Sequence, residues 1–199
     1  QHELIHMAIA DVTDESSVEA LYAQAEGARG PFDIVIANAG IASSAPAHRT
    51  SLDEWNRILD VNLTGAFLTV RPALKGMAER KRGRIVFIAS IAGLRGSAYV
   101  APYVASKHGV YGLTKNAGLE YGKQNIRVNA ICPGAVNTPA LAARQLTDPV
   151  AYQTWCNLSP MGKLVQPEEI ANLALFLCSD LTATLTASAI VIDGGISAI

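Results

Sequence analysis

Residues 90–107 read Ser-Ile-Ala-Gly-Leu-Arg-Gly-Ser-Ala-Tyr-Val-Ala-Pro-Tyr-Val-Ala-Ser-Lys, and the rest of the chain is organised around them. Just before them, residues 84–89 (RIVFIA) form a short apolar, β-branched run with the character of a buried strand. After them, the pattern predicts a helix over about 102–123. Ser90 therefore stands at the carboxyl end of a strand. Tyr103 and Lys107 stand one turn apart on one helical face. In open α/β sheets, ligands bind outside the carboxyl ends of the strands. A hydroxyl, a phenol and an ammonium are thus expected to converge there.

This trio suits proton transfer coupled to a redox step. A free tyrosine titrates near 10 and is a poor base at neutral pH. A lysine cation one turn away favours the phenolate, and a phenol so tuned can exchange a proton with a carbonyl or alcohol oxygen. The serine hydroxyl can hold that oxygen. No side chain carries a hydride, so a cofactor is implied. The spacing alone is weak evidence, because Tyr111 and Lys115 repeat it on the same stripe. That pair lies roughly 12 Å further along the helix axis, away from the strand ends, and reads as structural or interfacial.

With these residues in view, the chain resembles the short-chain dehydrogenase/reductase family. Ser90, thirteen residues before Tyr103, matches the family's catalytic serine, and Tyr103-Val-Ala-Ser-Lys107 matches its Tyr-x-x-x-Lys. Asn38-Ala39-Gly40 matches its Asn-Ala-Gly signature, and Asn62 in Val-Asn-Leu-Thr-Gly matches its helix asparagine. Pro133-Gly134, followed by Val136 and Thr138, matches the segment after the family's sixth strand, and Asp193-Gly194-Gly195 resembles its carboxyl-terminal motif. The six motifs follow the family's order across nearly the whole chain.

The resemblance implies a hydride transfer between a secondary alcohol and a ketone, with NAD or NADP as cofactor. Tyr103 would be the general acid/base, Lys107 its tuner and the holder of the ribose hydroxyls. Ser90 would position the substrate oxygen, and Asn62 would hold a relay water. Asn38, Ala39, Gly40, Pro133, Gly134, Val136 and Thr138 would line the cofactor. Asp11 resembles the aspartate that touches the adenine, although a helix cap or loop aspartate reads equally well. The 3-oxoacyl-carrier-protein reductases and the sugar or cyclic-alcohol dehydrogenases share this pattern. A non-catalytic relative serving as an assembly subunit or binding scaffold is the alternative.

Composition sets outer bounds. The chain has 199 residues, half of them apolar and 17% charged, which suits one ordered domain, 1–199. A net charge of −1 gives no electrostatic case for nucleic acid. Three scattered cysteines and four scattered histidines form neither a disulfide framework nor a metal motif, and they suit a reducing, cytoplasmic setting. No apolar run is long enough to span a membrane.

Strands alternate with helices, which predicts a Rossmann-like, doubly wound parallel sheet in three αβα layers. Strands are expected at 4–10, 33–37, 84–89, 126–132 and 187–192, with 33–37 (DIVIA) read as a buried strand. Helices are expected at 15–29, capped by Thr13-Asp14 and stopped by Gly30, and at 52–79, opened by a Ser51–Glu54 capping box with a break near Pro72. A further helix starts at Pro167. Residues 139–166 read as a substrate lid carrying Leu141, Leu146, Tyr152, Trp155 and Met161. Small residues on the 102–123 helix suggest close packing, and the family pairs this helix and the 52–79 helix in a homodimer or homotetramer.

The family opens with a strand, a Thr-Gly-x-x-x-Gly-x-Gly turn, a helix and a second strand, and no stretch of this sequence supplies them. The 4–10 strand corresponds to the family's third. The chain as written, which starts on Gln1, is therefore expected neither to fold stably alone nor to hold a dinucleotide well. The whole protein is expected to be longer by about fifty residues, or to be completed by another segment.

Overall fold

The computed structural model describes residues 5–139, 141 and 146–198. Among them, four strands form one parallel sheet in sequence order: β1 (Ile34–Ala37), β2 (Gly83–Ile88), β3 (Ile126–Pro133) and β4 (Ala189–Ile192). Helices connect them: α1 (Glu15–Arg29), α2 (Leu52–Leu59), α3 (Gly65–Arg80), α4 (Ala101–Tyr121), α5 (Pro149–Asn157) and α6 (Pro167–Cys178).

The alternation of side chains along β2 and β3 builds two cores. Ile85 and Phe87 of β2, with Val128, Ala130 and Cys132 of β3, pack under α3 and α4 in the larger core. Val86 and Ile131 point the other way and pack with Ala174 and Leu177 of α6. A strand covered on both faces has little polar side to show, so β2 reads as an apolar run, while β3 buries Arg127 and Asn129 among its apolar residues and bonds them to the Leu177, Ser179 and Leu185 carbonyls. The predicted three-layer α/β architecture is therefore present.

Local signals set most boundaries. Asp14 accepts the Ser16 N–H at the start of α1, and Gly30 closes that helix at φ 81°. Ser51 accepts the Glu54 N–H at the start of α2. Pro102 lies in the first turn of α4, where a missing N–H costs nothing.

Three expectations are corrected. Residues 5–10 form no strand, and Leu4 lies outside the described residues. An extended segment needs a laddered neighbour, and β1 pairs only with β2. Ile5, Met7 and Ile9 are exposed instead. β1 is not fully buried either: Val35 and Ala37 face the core while Ile34 and Ile36 stay half exposed. Pro72 does not break its helix; the irregularity is a π-turn at Asp60–Thr64, between α2 and α3. Such turns often mark functional positions, and this one carries Asn62.

The loop after β2 presses against α4. A Cβ on Gly93 would lie 2.6 Å from the Lys107 carbonyl oxygen, whereas one on Gly96 would meet nothing within 4 Å. Gly93→Ala should therefore destabilise the fold by about 1–3 kcal/mol, because the helix backbone cannot yield as a flexible side chain would. Gly96→Ala should stay within about 0.5 kcal/mol of the parent. Paired urea unfolding curves check the difference, and equal midpoints would refute it.

Candidate active site

The carboxyl ends of β1, β2 and β3 frame a cleft of about 560 Å³ lined by Asn38, Gly40, Ser90, Tyr103, Lys107, Pro133, Gly134, Val136 and Thr138, together with Ile41, Pro139, Pro167 and Ile170. Nine of the residues singled out from the sequence thus share one concavity. Asn62 lies just beneath it, fully buried. Ala39 is not part of the lining. Asp11 is occupied locally: its Oδ1 accepts the backbone N–H and the hydroxyl of Thr13, at 2.9 and 2.7 Å. The Thr13 bonds lower the Asp11 pKa.

Ser90 caps the short 3-10 turn Ile91–Gly93, its Oγ accepting the Ala92 N–H at 3.1 Å. This cap fixes the serine at the mouth of β2. Tyr103 and Lys107 enter from the first turns of α4. The Lys107 ammonium sits 5.6 Å from the Tyr103 ring centroid. It donates to the Ile88 carbonyl at 2.8 Å. Only 4% of Lys107 is exposed, so the cation has little water around it. Burial accordingly lowers its pKa to about 8, with Cys132 pulling the other way.

The phenol responds to the same dry surroundings in the opposite sense. Burial raises the Tyr103 pKa, and a hydrogen bond with Ser90 offsets part of that rise. The sequence led us to expect lowering by Lys107, but here desolvation of the phenolate sets the direction, and the lowering comes from Ser90 instead. Cys132, fully buried below the cleft, is pushed up to about 11 by burial and stays a thiol at neutral pH.

Asn62 is fully committed. Its Oδ1 accepts the Ile41 N–H at 2.8 Å, and its Nδ2 donates to the Ile41 carbonyl at 2.9 Å and to Ser106 Oγ at 3.1 Å. Ser106, also buried, donates in turn to the Tyr103 carbonyl at 2.8 Å. The amide therefore ties the loop after β1 to the turn of α4 that carries the phenol and the ammonium. Sequence reasoning missed Ser106 and the Ile88 carbonyl. Ser106 sits inside the Tyr-x-x-x-Lys spacing but has no pattern of its own, and a backbone acceptor leaves no trace in a sequence.

Gly40 shows how close the packing is. A Cβ there would lie 3.4 Å from Asn62 Oδ1 and 3.5 Å from Lys107 Nζ, in ordinary contact with both, so the loop backbone passes directly beside the amide and the cation. The second pair, Tyr111 and Lys115, makes its own cation-π contact at 4.1 Å and contributes nothing to the cleft lining. Among the described residues no cluster of His, Cys, Asp or Glu could hold a metal, and no helix is long and apolar enough to cross a membrane.

Comparison with known proteins identifies the family. A family model described as enoyl-(acyl carrier protein) reductase matches residues 3–197. The chain is 42% identical over 193 residues to the "inactive 2-(S)-hydroxypropyl-CoM dehydrogenase 2" of Xanthobacter autotrophicus, covering 96% of this chain and 84% of that one. It is 41% identical to the 3beta-hydroxysteroid dehydrogenase 1 of Eggerthella lenta, over 94% of this chain and 72% of that one. Among solved structures it resembles ElxO with NADP bound, with a TM-score of 0.95 and 31% identity, over 99% of this chain and 80% of that one. The chain belongs to the short-chain dehydrogenase/reductase family of NAD- or NADP-dependent oxidoreductases.

Proposed function

We propose that this protein interconverts a secondary alcohol and a ketone, with Tyr103 as the general acid/base. The single observation that carries the reading is the convergence of Ser90, Tyr103 and Lys107 in one cleft at the strand ends. The residues around Lys107 fit the nicotinamide-ribose half of a dinucleotide. Lys107 offers a cation to the ribose hydroxyls, the Gly40 backbone passes beside it, and Val136 and Thr138 line the far wall. When bound, the nicotinamide supplies or accepts the hydride.

The chain's own residues handle the proton. In ketone reduction, the Ser90 hydroxyl donates to the substrate carbonyl oxygen and holds it beside the phenol. The Tyr103 hydroxyl then gives its proton to that oxygen as negative charge develops there. A phenol kept protonated by burial suits this acid role. Lys107 stabilises the phenolate left behind, since a nearby cation is worth more in a dry site than in water. Asn62 has no amide proton to spare, so any relay water it holds must use its backbone or the remaining lone pair of Oδ1. The reverse sequence oxidises the alcohol.

Residues 139–166 serve in this reading as the substrate lid, built on α5 and on the exposed side chains of Trp155 and Met161; Ala140 and residues 142–145 lie outside the described residues. A homodimer or homotetramer would use α3 and α4, whose shared groove is lined by Leu63, Phe67, Gly109, Gly112 and Leu113. The reducing setting suggested by three free cysteines fits the cytoplasm. One finding favours a second reading, a non-catalytic relative: the relative at 42% identity carries "inactive" in its name.

Tyr103→Phe decides between them. Against a cyclic ketone, a steroid 3-ketone and acetoacetyl-CoA, with NADH and NADPH, the variant should lose about 10²–10⁴ in kcat while Tyr111→Phe keeps full activity. Equal rates for parent and Tyr103→Phe would refute the assignment, and a parent that reduces no ketone but binds nucleotide would favour the scaffold.

The pH profile tests the lysine. Its pKa is held at about 8, below the unfolded value of 10.5, so its charge is present below that point and lost as pH rises through it. For ketone reduction, kcat/KM, which reports the free enzyme, should fall about tenfold per unit above that pH. A profile flat from pH 7 to about 10 would show that the charge is not used.

A further inference from the structure

The loop after Ser90, the lid and the last strand meet at one turn that the chemistry above does not use. Asp193 is buried, and its carboxylate accepts the Gly195 N–H at 2.9 Å and the Ser197 N–H at 2.8 Å. Gly194 and Gly195, at φ 63° and 90°, make the tight turn possible. Three other segments attach to it. Arg95 Nη1 donates to the Ile196 carbonyl at 3.0 Å. Ser159 Oγ and the Met161 N–H both donate to the Gly194 carbonyl, at 2.9 and 3.3 Å. The Gly134 N–H donates to the Ile192 carbonyl at 3.0 Å, just before the turn.

Arg95 is the long arm in this arrangement. Its backbone N–H bonds to the Ile91 carbonyl at 3.1 Å, inside the short turn that Ser90 caps. The catalytic-loop end is therefore woven to Ser90, and the guanidinium end is fixed to the carboxyl-terminal turn. A charged donor makes a stronger hydrogen bond than a neutral one, which suits a bond that must hold a loop. Burial opposes the ionised carboxylate of Asp193, but the Ser197 hydroxyl, the Gly195 and Ser197 N–H groups and, last, the Arg95 charge outweigh it and hold the pKa below the usual value.

We propose that Arg95 is a positioning residue, and that the 193–197 turn couples the lid segment 159–161 to the loop carrying Ser90. The hydroxyl that holds the substrate oxygen and the wall that closes over the substrate then keep one register. The catalytic consequence rests on the ketone-reductase reading; the mechanical coupling does not.

Two measurements on the full chain test it. The first is native-state hydrogen exchange in the parent, Arg95→Ala, Arg95→Lys and Ser159→Ala. Arg95→Ala should speed exchange at the Met161 and Gly162 amides about tenfold, although Arg95 bonds to neither. Ser159→Ala should do the same at Ala92 and Gly93, and Arg95→Lys should restore most of the protection. Changes confined to each variant's own segment would overturn the coupling; if Arg95→Ala does not fold, Ser159→Ala and Arg95→Lys decide alone. The second is steady-state reduction of acetoacetyl-CoA or a steroid 3-ketone. Arg95→Ala should raise the ketone KM about tenfold while NADPH binding changes by less than about twofold. An unchanged ketone KM would overturn the positioning role. A parent that reduces no ketone would remove the catalytic reading, and hydrogen exchange would still judge the coupling.

Discussion

A lysine cation held almost out of water at the ends of a parallel sheet is the constraint from which the rest of the site follows. Lys107 keeps 4% exposure and donates to the Ile88 carbonyl at 2.8 Å. A buried ammonium is tolerable only where acceptors face it and its pKa can fall. The sheet supplies the acceptor because β1 pairs with β2 only as far as Phe87, so the Ile88 carbonyl lies just past that ladder. The loop after β2 must then pass directly over α4, and Gly93 is the residue whose lack of a side chain permits it.

The same dryness organises the polar atoms around the cation. Asn62 and Ser106 have no exposure, yet every amide proton and the serine hydroxyl find an acceptor. Their chain runs from the backbone of Ile41 to the carbonyl of Tyr103, so it fixes the loop after β1 and the start of α4 against each other. Asn62 itself sits in the π-turn at Asp60–Thr64. Low dielectric makes such a network rigid when satisfied and unstable when one member is removed. Desolvation also acts on the two titrating groups in opposite senses: it raises the pKa of the phenol and lowers that of the lysine.

Much of this was legible in the sequence because it depends on short-range patterns. The central strand β2 announced itself as an apolar run, the caps at Asp14 and Ser51 as polar residues before helical periodicity, and the pairing of Tyr103 with Lys107 as one helical turn. Other expectations failed where the deciding partner is distant. Residues 5–10 have strand-like composition, but a strand exists only beside another strand, and β1 offers its ladder to β2 alone. Pro72 looked like a break because a proline removes one hydrogen bond, yet the packing of α3 on the sheet carries the helix through it.

From the order of residues alone come the layered α/β plan and the identity of the chemical groups, because periodicity and one-turn spacing are local geometry. Tertiary structure alone decides which of the two Tyr-x-x-x-Lys pairs meets the strand ends, and that Ser106 and a backbone carbonyl belong to the site. It also decides that burial, rather than the neighbouring charge, sets the direction of the tyrosine's pKa. Each of these depends on how much water remains around a group and on which distant backbone atoms reach it, and neither quantity exists until the chain has folded.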